Sequence, residues 1–249
     1  MSKLWRPPEA PWTEERETLA QAGAALLRRI ADAHPTAAIA TSLQAEDAVL
    51  TDLAFRAGAK IDLVTLNTGR LPQETLAAKT ALEQRYGVEI AAFAPDREEI
   101  LNWIVSHGAD GFYESEKLRH ECCAIRKVKP LARALEGRTA WVTGQRRAQA
   151  ATRTELAEHE FDATHGIEKF NPIAAWSQDD VWAYIARHDV PVNALYARGY
   201  ASIGCDPCTR AIRADEDVRA GRWWWERSQS KECGLHVVDG ALASEGQLA

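Results

Sequence analysis

Five cysteines have spacings that suggest chemistry, and four of them form two pairs, Cys122-Cys123 and Cys205-x-x-Cys208. A C-x-x-C turn lets two thiolates reach one metal centre, so the pairs together offer four soft ligands. Adjacent thiolates cannot easily occupy two vertices around one small zinc ion, and an iron-sulfur cluster is therefore favoured over zinc. The residues leave one alternative open, in which the first pair are small buried hydrophobes and the second pair is a redox couple.

The fifth cysteine, Cys233, lies in the polar run from Lys231 to His236. Packing does not explain a thiol between Glu232 and Gly234, so it is either incidental or reactive. A cationic neighbour such as Lys231 favours the nucleophilic thiolate. An odd number of cysteines with this spacing does not fit the disulfide framework of a secreted protein.

Basic residues are concentrated in two regions, after one predicted strand end and around a helix predicted to follow Cys208. They are Arg146, Arg147, Arg153, Arg210, Arg213, Arg219 and Arg222. The planar guanidinium suits bidentate binding of phosphate or sulfate oxygens, which predicts a doubly anionic substrate. Lys127, one helical turn after the first cysteine pair, would offset the negative charge of four thiolates. For any one of these residues the alternative is a solvated helix face.

Composition narrows the class of protein. The 249 residues are 46% hydrophobic and 27% charged, as in an ordinary globular protein, and the net charge of -6 argues against a general nucleic-acid surface. No apolar segment follows the start of the sequence, and none approaches the roughly 18 residues of a membrane span. We therefore expect a cytoplasmic protein with no membrane or nucleic-acid partner. Walker and dinucleotide-binding glycine motifs are both missing.

The elements that must position these residues alternate between strand and helix. Strands are predicted at 37–42, 61–66, 88–93 and 139–143, and helices at 12–33, 46–57, 72–86, from 96, 122–135 and from 177. Such alternation predicts an α/β fold with a mostly parallel sheet flanked by helices. Its ligand site should lie at the carboxyl ends of the strands, at Ser42, Asn67–Arg70 and Gly144–Arg147.

The last part of the sequence is less regular. Trp223–Trp225 are expected to anchor a final helix, and apolar periodicity then gives way to serine, lysine and glycine. We therefore divide the chain into an α/β domain over 1–227 and a mobile tail over 228–249 that carries Cys233.

Six motifs occur in a fixed order along the chain. They are Ser42-Leu-Gln-Ala-Glu-Asp47, Leu66-Asn-Thr-Gly-Arg70, Cys122-Cys-x-x-Arg-Lys-x-x-Pro130, Thr143-Gly-Gln-Arg-Arg147, Cys205-x-x-Cys208 and Lys231-Glu-Cys-Gly-Leu-His236. Over residues 37–236 the chain resembles the assimilatory sulfonucleotide reductases, which act on adenylyl sulfate (APS) or phosphoadenylyl sulfate (PAPS). The two cysteine pairs resemble the subgroup that carries a [4Fe-4S] cluster and prefers adenylyl sulfate.

The resemblance implies an adenine nucleotide alpha-hydrolase-like fold, with Cys233 as the catalytic nucleophile. It makes Cys122, Cys123, Cys205 and Cys208 the ligands of the [4Fe-4S] cluster. The substrate-binding residues that it implies are Ser42, Leu66, Thr68, Gly69, Lys127, Gly144, Arg147, Arg153, Arg219, Arg222 and His236. The implied reductant is a thioredoxin or glutaredoxin-type dithiol, which would release sulfite from an S-sulfocysteine. Asn67 departs from the family, which usually has aspartate there.

Other functions stay open at this stage. PAPS is the alternative substrate, and a non-catalytic iron-sulfur redox sensor is the alternative class. The reactive Cys233 separates the two classes, because a sensor needs no nucleophile. An ATP-dependent thiolation enzyme is disfavoured, since residues 42–47 lack a Ser-Gly-Gly-x-Asp-Ser loop. The oligomeric state is open, a homo-oligomer included.

Overall fold

Six strands form one sheet in the computed structural model, which describes residues 3–149 and 153–226. The strands are β1 Ala38–Thr41, β2 Asp62–Leu66, β3 Ile90–Phe93, β4 Ala140–Val142, β5 His159–Asp162 and β6 Ile167–Phe170. Their order is β3-β2-β1-β4-β6-β5, and every pairing is parallel except that of β5 with β6. The predicted mostly parallel α/β fold is confirmed.

Helices cover both faces of this sheet. They are α1 Glu14–Ala33, α2 Ala45–Ala57, α3 Gln73–Tyr86, α4 Arg97–His107, α5 Glu116–Cys123, α6 Lys129–Leu135 and α7 Gln178–His188. Ile39 of β1 faces the core formed with α1, α2 and α7, whereas the preceding Ala38 packs with Ala134 of α6. Consecutive strand residues point to opposite faces, so β1 is apolar on both sides, as a central parallel strand requires.

The strand order reverses between β1 and β4. From β1 the chain moves outward to β2 and β3, and it then returns to place β4 on the other side of β1. The loops that leave β1 and β4 therefore diverge, which opens a crevice at the carboxyl ends of these strands. Ligands of open α/β sheets bind in a crevice of this kind.

Local chemistry sets the ends of several helices. Ser177 accepts the N–H of Asp180, whose carboxylate accepts in return from Ser177, so α7 begins with a capping box. Gly58 and Gly87 adopt left-handed conformations just after α2 and α3, which is the usual helix-ending role of glycine. Within the described ranges no helix is long and apolar enough to cross a membrane.

The helix predicted from Cys122 begins earlier than expected, at Glu116. Ser115 caps it by accepting the N–H of Leu118, and the backbone widens into a π-helical turn over Ala124–Val128 before α6. Residues 116–121 are mostly charged and carry little apolar periodicity. The apolar pattern of the sequence therefore did not indicate a helix start at Glu116. The cysteine pair consequently lies at the end of α5 and not at a helix start.

The helix predicted after Cys208 is wrong, as is a final helix around the three tryptophans. Residues 209–226 contain turns and isolated antiparallel bridges instead, including Thr209 opposite Arg222. Trp223 has a φ of 41°, a left-handed conformation that does not continue a right-handed helix. The β5–β6 hairpin was not predicted either, because its strands are short and charged. The tail over 228–249, with Cys233 and His236, lies outside the described residues.

Candidate functional site

A cavity at the carboxyl ends of β1, β2 and β4 brings most of the predicted substrate residues together. Its lining includes Ser42, Leu66, Thr68, Lys127, Gly144, Arg153, Arg219 and Arg222. Cys205 also lines it, so the cavity reaches the cysteines. Two predicted residues lie outside the lining: Gly69 donates its N–H to Asn67 Oδ1, and the Arg147 guanidinium donates to the Leu156 carbonyl.

Asp47, which the sequence interpretation did not single out, joins the two loops that border the crevice. Its carboxylate accepts the N–H of Ser42 at 2.6 Å and the N–H of Gly144 at 3.1 Å, and it also accepts the Ser42 hydroxyl. Burial raises the pKa of this carboxyl to about 6, against the opposing effect of the Ser42 hydrogen bonds. A Cβ on Gly144 would lie 2.3 Å from Asp47 Oδ1, so only glycine allows this approach.

A buried ion pair lies beside this carboxylate and joins the same two loops. Arg146 Nη2 donates to Glu46 Oε1 at 2.7 Å, and Arg146 Nη1 donates to the Trp176 carbonyl at 3.1 Å. The side chains of Arg146 and Glu46 are 5% and 16% exposed. Arg146 therefore joins the loop after β4 to the loop after β1. Arg153 contributes a cationic side chain to the cavity lining.

The turn after β2 links the cavity to the cysteines. Thr68 Oγ1 lies 3.2 Å from Cys205 Sγ, and the Thr68 carbonyl accepts from Arg126 Nη1 at 2.7 Å. Asn67 Oδ1 accepts the Gly69 N–H at 3.1 Å. An aspartate oxygen would accept the same hydrogen bond. Asn67 therefore preserves this turn although the family usually has aspartate at this position.

The four paired cysteines gather in one region, and all four thiols are free. Cys123, Cys205 and Cys208 are buried, Cys122 is half-buried, and the apolar cluster around them includes Trp103, Phe112 and Trp223. Burial and the nearby Cys205 raise the pKa of Cys208 to about 12. Burial also raises the pKa of Cys122, which Arg126 opposes through its charge and a hydrogen bond. The uncharged thiol is thus favoured at Cys122 and at Cys208.

This donor set fits an iron-sulfur cluster in its chemistry. The indole N–H groups of Trp103, Trp223 and Trp225 are buried there with no hydrogen-bond acceptor among the described residues, and sulfur is an acceptor that could satisfy them. Lys127 and Arg126 are buried beside the thiols and add positive charge. No three His, Cys, Asp or Glu side chains in residues 3–149 and 153–226 are grouped closely enough to hold one metal ion.

A buried ion pair ties the cysteine helix to the last described residues. Arg119 of α5 donates through Nε and Nη2 to the two carboxylate oxygens of Glu226, at 2.7 and 3.0 Å. The guanidinium also lies 4.6 Å from the ring centroid of Trp223. Because Glu226 is the last described residue, this pair fixes the end of the described chain against α5.

The arginines after Cys208 divide into two groups. The Arg210 guanidinium and the backbone N–H of Arg213 both donate to the Glu216 carboxylate. Together these hydrogen bonds lower the pKa of Glu216 to about 2. These contacts shape the loop. Arg219 and Arg222 line the cavity, and Arg222 also donates to Ser202 Oγ and the Ile203 carbonyl.

A parallel sheet with a polar cavity at its switch point is typical of nucleotide-binding α/β proteins. Solved structures agree with this class. A phosphoadenylyl-sulfate reductase from Candida auris, in a phosphate complex, superposes with a TM-score of 0.65 at 25% identity, over 82% of this chain and all of that one. An FMN adenylyltransferase from Candida glabrata, at 12% identity and a TM-score of 0.58, covers 79% of this chain and 67% of its own, and it shares the fold alone.

Sequence comparison narrows the class to one family. Residues 36–211 match the phosphoadenosine phosphosulfate reductase domain, and the chain belongs to this family. An adenosine 5'-phosphosulfate reductase from Burkholderia cepacia is 54% identical over 214 residues, which are 86% of each chain. Another from Neisseria meningitidis is 51% identical over 240 residues, 94% of this chain and 97% of the relative. The family resemblance found in the sequence is confirmed.

Proposed function

We propose that this protein reduces adenylyl sulfate to sulfite and AMP, with a thioredoxin- or glutaredoxin-type dithiol as the electron donor. The observation that carries the proposal is the 54% identity to an adenosine 5'-phosphosulfate reductase over 86% of both chains. Support from the site comes from the cationic residues in the cavity lining, which suit a substrate with adjacent phosphate and sulfate groups.

In this proposal the cavity binds the nucleotide through two kinds of contact. Ser42 and Gly144, whose N–H groups both donate to Asp47, are held side by side and form a polar wall of the cavity beside the nucleotide. Lys127, Arg153, Arg219 and Arg222 supply positive charge for the phosphate and sulfate. Leu66 and Thr68 then border the adenosine, and His236, which lies outside the described residues, is a further proposed substrate contact.

The proposed reaction has two sulfur displacements. The Cys233 thiolate attacks the sulfate sulfur, the bond from that sulfur to the phosphate oxygen breaks, and AMP leaves with the electron pair. A thiolate of the dithiol donor then attacks Cys233 Sγ, and the sulfonate departs as sulfite. The second donor thiol releases Cys233 from the mixed disulfide, so the donor supplies both electrons. Lys127 and the arginines stabilise charge on the leaving phosphate.

We further propose that Cys122, Cys123, Cys205 and Cys208 hold a [4Fe-4S] cluster. When bound, the cluster supplies a charged centre beside the substrate and joins α5 to the loop around Asp206–Cys208. Neither displacement requires it to transfer an electron. Lys127, which lines the cavity and also acts electrostatically on Cys208, is the residue suited to couple the two sites.

A turnover assay tests the proposed activity. Purified protein with adenylyl sulfate, thioredoxin, thioredoxin reductase and NADPH should release sulfite. The Cys233→Ser variant should still bind AMP but release none, because serine is too weak a nucleophile to form the sulfonate intermediate. Ser230→Ala, directly before the run from Lys231 to His236, is the matched control and should retain turnover. Sulfite release by Cys233→Ser at the wild-type rate would refute the proposal.

Phosphoadenylyl sulfate is the second candidate substrate, favoured by the fold similarity to the Candida auris enzyme. Comparison of kcat/KM for the two nucleotides decides between them, and we expect the higher value for adenylyl sulfate. A protein that binds nucleotide and contains iron but releases no sulfite from either substrate would instead support the sensor.

A further inference from the structure

The residues ahead of α1 form an unexpected part of the cavity's support. The backbone N–H of Trp5 donates to the Ile212 carbonyl at 3.0 Å, and the backbone N–H of Ala214 donates to the Lys3 carbonyl at 2.9 Å. Leu4 thus lies opposite Arg213 in an antiparallel bridge. We call residues Lys3–Arg6 the strap segment. It contacts residues about 200 positions later in the sequence, in the loop that follows the second cysteine pair.

That loop has a second partner on its other side. Arg210 donates its N–H to the Gly221 carbonyl at 3.0 Å, and Trp223 donates to the Cys208 carbonyl at 3.1 Å. The intervening turn carries Arg219 and Arg222 into the cavity lining. Residues 209–214 are therefore held between the strap segment and the arginine-bearing turn, with no regular helix or strand to fix them.

The strap segment also supports the opposite wall. The Trp5 ring is 8% exposed and lies 6.3 Å, centroid to centroid, from both Trp182 and Tyr196, which line the cavity. Tyr196 accepts the N–H of Ala45 through its hydroxyl at 2.8 Å, at the start of α2. Arg6 donates to the Ala197 carbonyl. The strap segment is thus hydrogen-bonded to residues 209–214 and packed against the cavity wall beside α2.

We propose that the strap segment is a positioning element of the nucleotide site, which sets the distance between Arg219 and Arg222 on one side and Tyr196 on the other. It touches no substrate itself. The nucleotide part of this inference rests on the proposed function. Loss of a strap hydrogen bond should therefore weaken nucleotide binding and loosen residues 209–223, while the cysteines and the sheet stay intact.

Ala214→Pro tests this, because residue 214 is exposed and proline removes the N–H donated to Lys3 while also fixing the backbone φ angle at that position. Ala214→Ser keeps that N–H and is the matched control. By calorimetry with AMP, we expect the Kd of Ala214→Pro to rise about five-fold, the effect of losing one net hydrogen bond. The Kd of Ala214→Ser should equal that of the wild type.

A distant variant separates positioning from general destabilisation. Thr36→Ala loses the hydroxyl that accepts the Thr139 N–H at the amino ends of the strands, far from the cavity. It should lower Tm about as much as Ala214→Pro does and leave the Kd for AMP unchanged. An equal Kd increase in both variants would contradict a positioning role.

Hydrogen-deuterium exchange gives a readout that needs no nucleotide. Exchange at residues 209–223 should be faster in Ala214→Pro than in Ala214→Ser, and exchange in β1 and β2 should be the same in both. If exchange at 209–223 and the Kd for AMP both match the control, the proposal is wrong. If wild-type protein binds no AMP but the exchange difference is present, the proposed function fails and the strap's structural role stands.

Discussion

The Asp47 carboxylate offers a quantitative test, because a buried charge holds the two cavity loops together. Burial raises its pKa from 3.8 to about 6. A shift of about 2 units corresponds to about 3 kcal/mol, the cost of keeping this group ionised in the folded protein. Asp47→Asn removes that cost but supplies only one oxygen for the N–H groups of Ser42 and Gly144. The variant should therefore bind nucleotide poorly, and its stability should lose the pH dependence that comes from ionisation of residue 47.

The sign of the pH dependence follows from the direction of the shift. A carboxyl with a raised pKa in the folded state binds its proton more tightly there, so folding gains stability as the pH falls. The stability from Asp47 is fully present below pH 4 and is lost as the pH rises through about 6. Relative to Asp47→Asn, wild-type protein should gain about 1 kcal/mol of unfolding free energy when the pH falls from 7.5 to 5.

Anaerobic urea titrations of wild type and Asp47→Asn, at pH 7.5 and pH 5, measure this double difference. Asp62→Asn serves as the matched control, because Asp62 lies on β2 with its side chain 73% exposed. Its stability difference from wild type should change by much less over the same pH range. If the unfolding free energies of wild type and Asp47→Asn change with pH in parallel, the reasoning is refuted. It is also refuted if wild type becomes less stable than Asp47→Asn as the pH falls from 7.5 to 5.

Three further substitutions test the site. Gly144→Ala places a Cβ 2.3 Å from Asp47 Oδ1 and should raise the Kd for AMP at least about ten-fold by calorimetry; an unchanged Kd would contradict the close approach. Glu226→Gln removes the carboxylate that pairs with Arg119, whose side chain is 1% exposed, and should cost about 3 kcal/mol of unfolding free energy in urea, whereas a loss below about 1 kcal/mol would count against a buried pair. Cys208→Ser, purified anaerobically, should contain less than about half the wild-type iron by chemical analysis; full iron content would remove Cys208 from the proposed ligands.

The sheet and the position of the cavity followed from the sequence for a clear reason. Buried parallel strands are short apolar runs, and the polar residues at their ends mark the ligand edge. Ser42 and Gly144 were found in this way, and they line the cavity as expected. Asp47 was missed as a linking residue, because the N–H of Gly144 that it accepts lies 97 positions away in the sequence.

The region after Cys208 could not be predicted from local pattern. Its arginines and tryptophans occur at spacings that suit a helix, but the backbone pairs with Trp5 and turns at Trp223 instead. Partners so distant in the sequence leave no periodic signal. The role of Cys233 is different again, since that residue lies outside the described ranges and its role as the nucleophile remains a prediction.

The most direct test of the central proposal is mass spectrometry of the protein mixed with adenylyl sulfate alone, without a dithiol donor. One sulfonate group should appear on the peptide that contains Cys233, with AMP released in equal amount. Addition of thioredoxin should then remove the group as sulfite. An unmodified Cys233 beside released AMP, or a sulfonate on any other cysteine, would contradict Cys233 as the nucleophile.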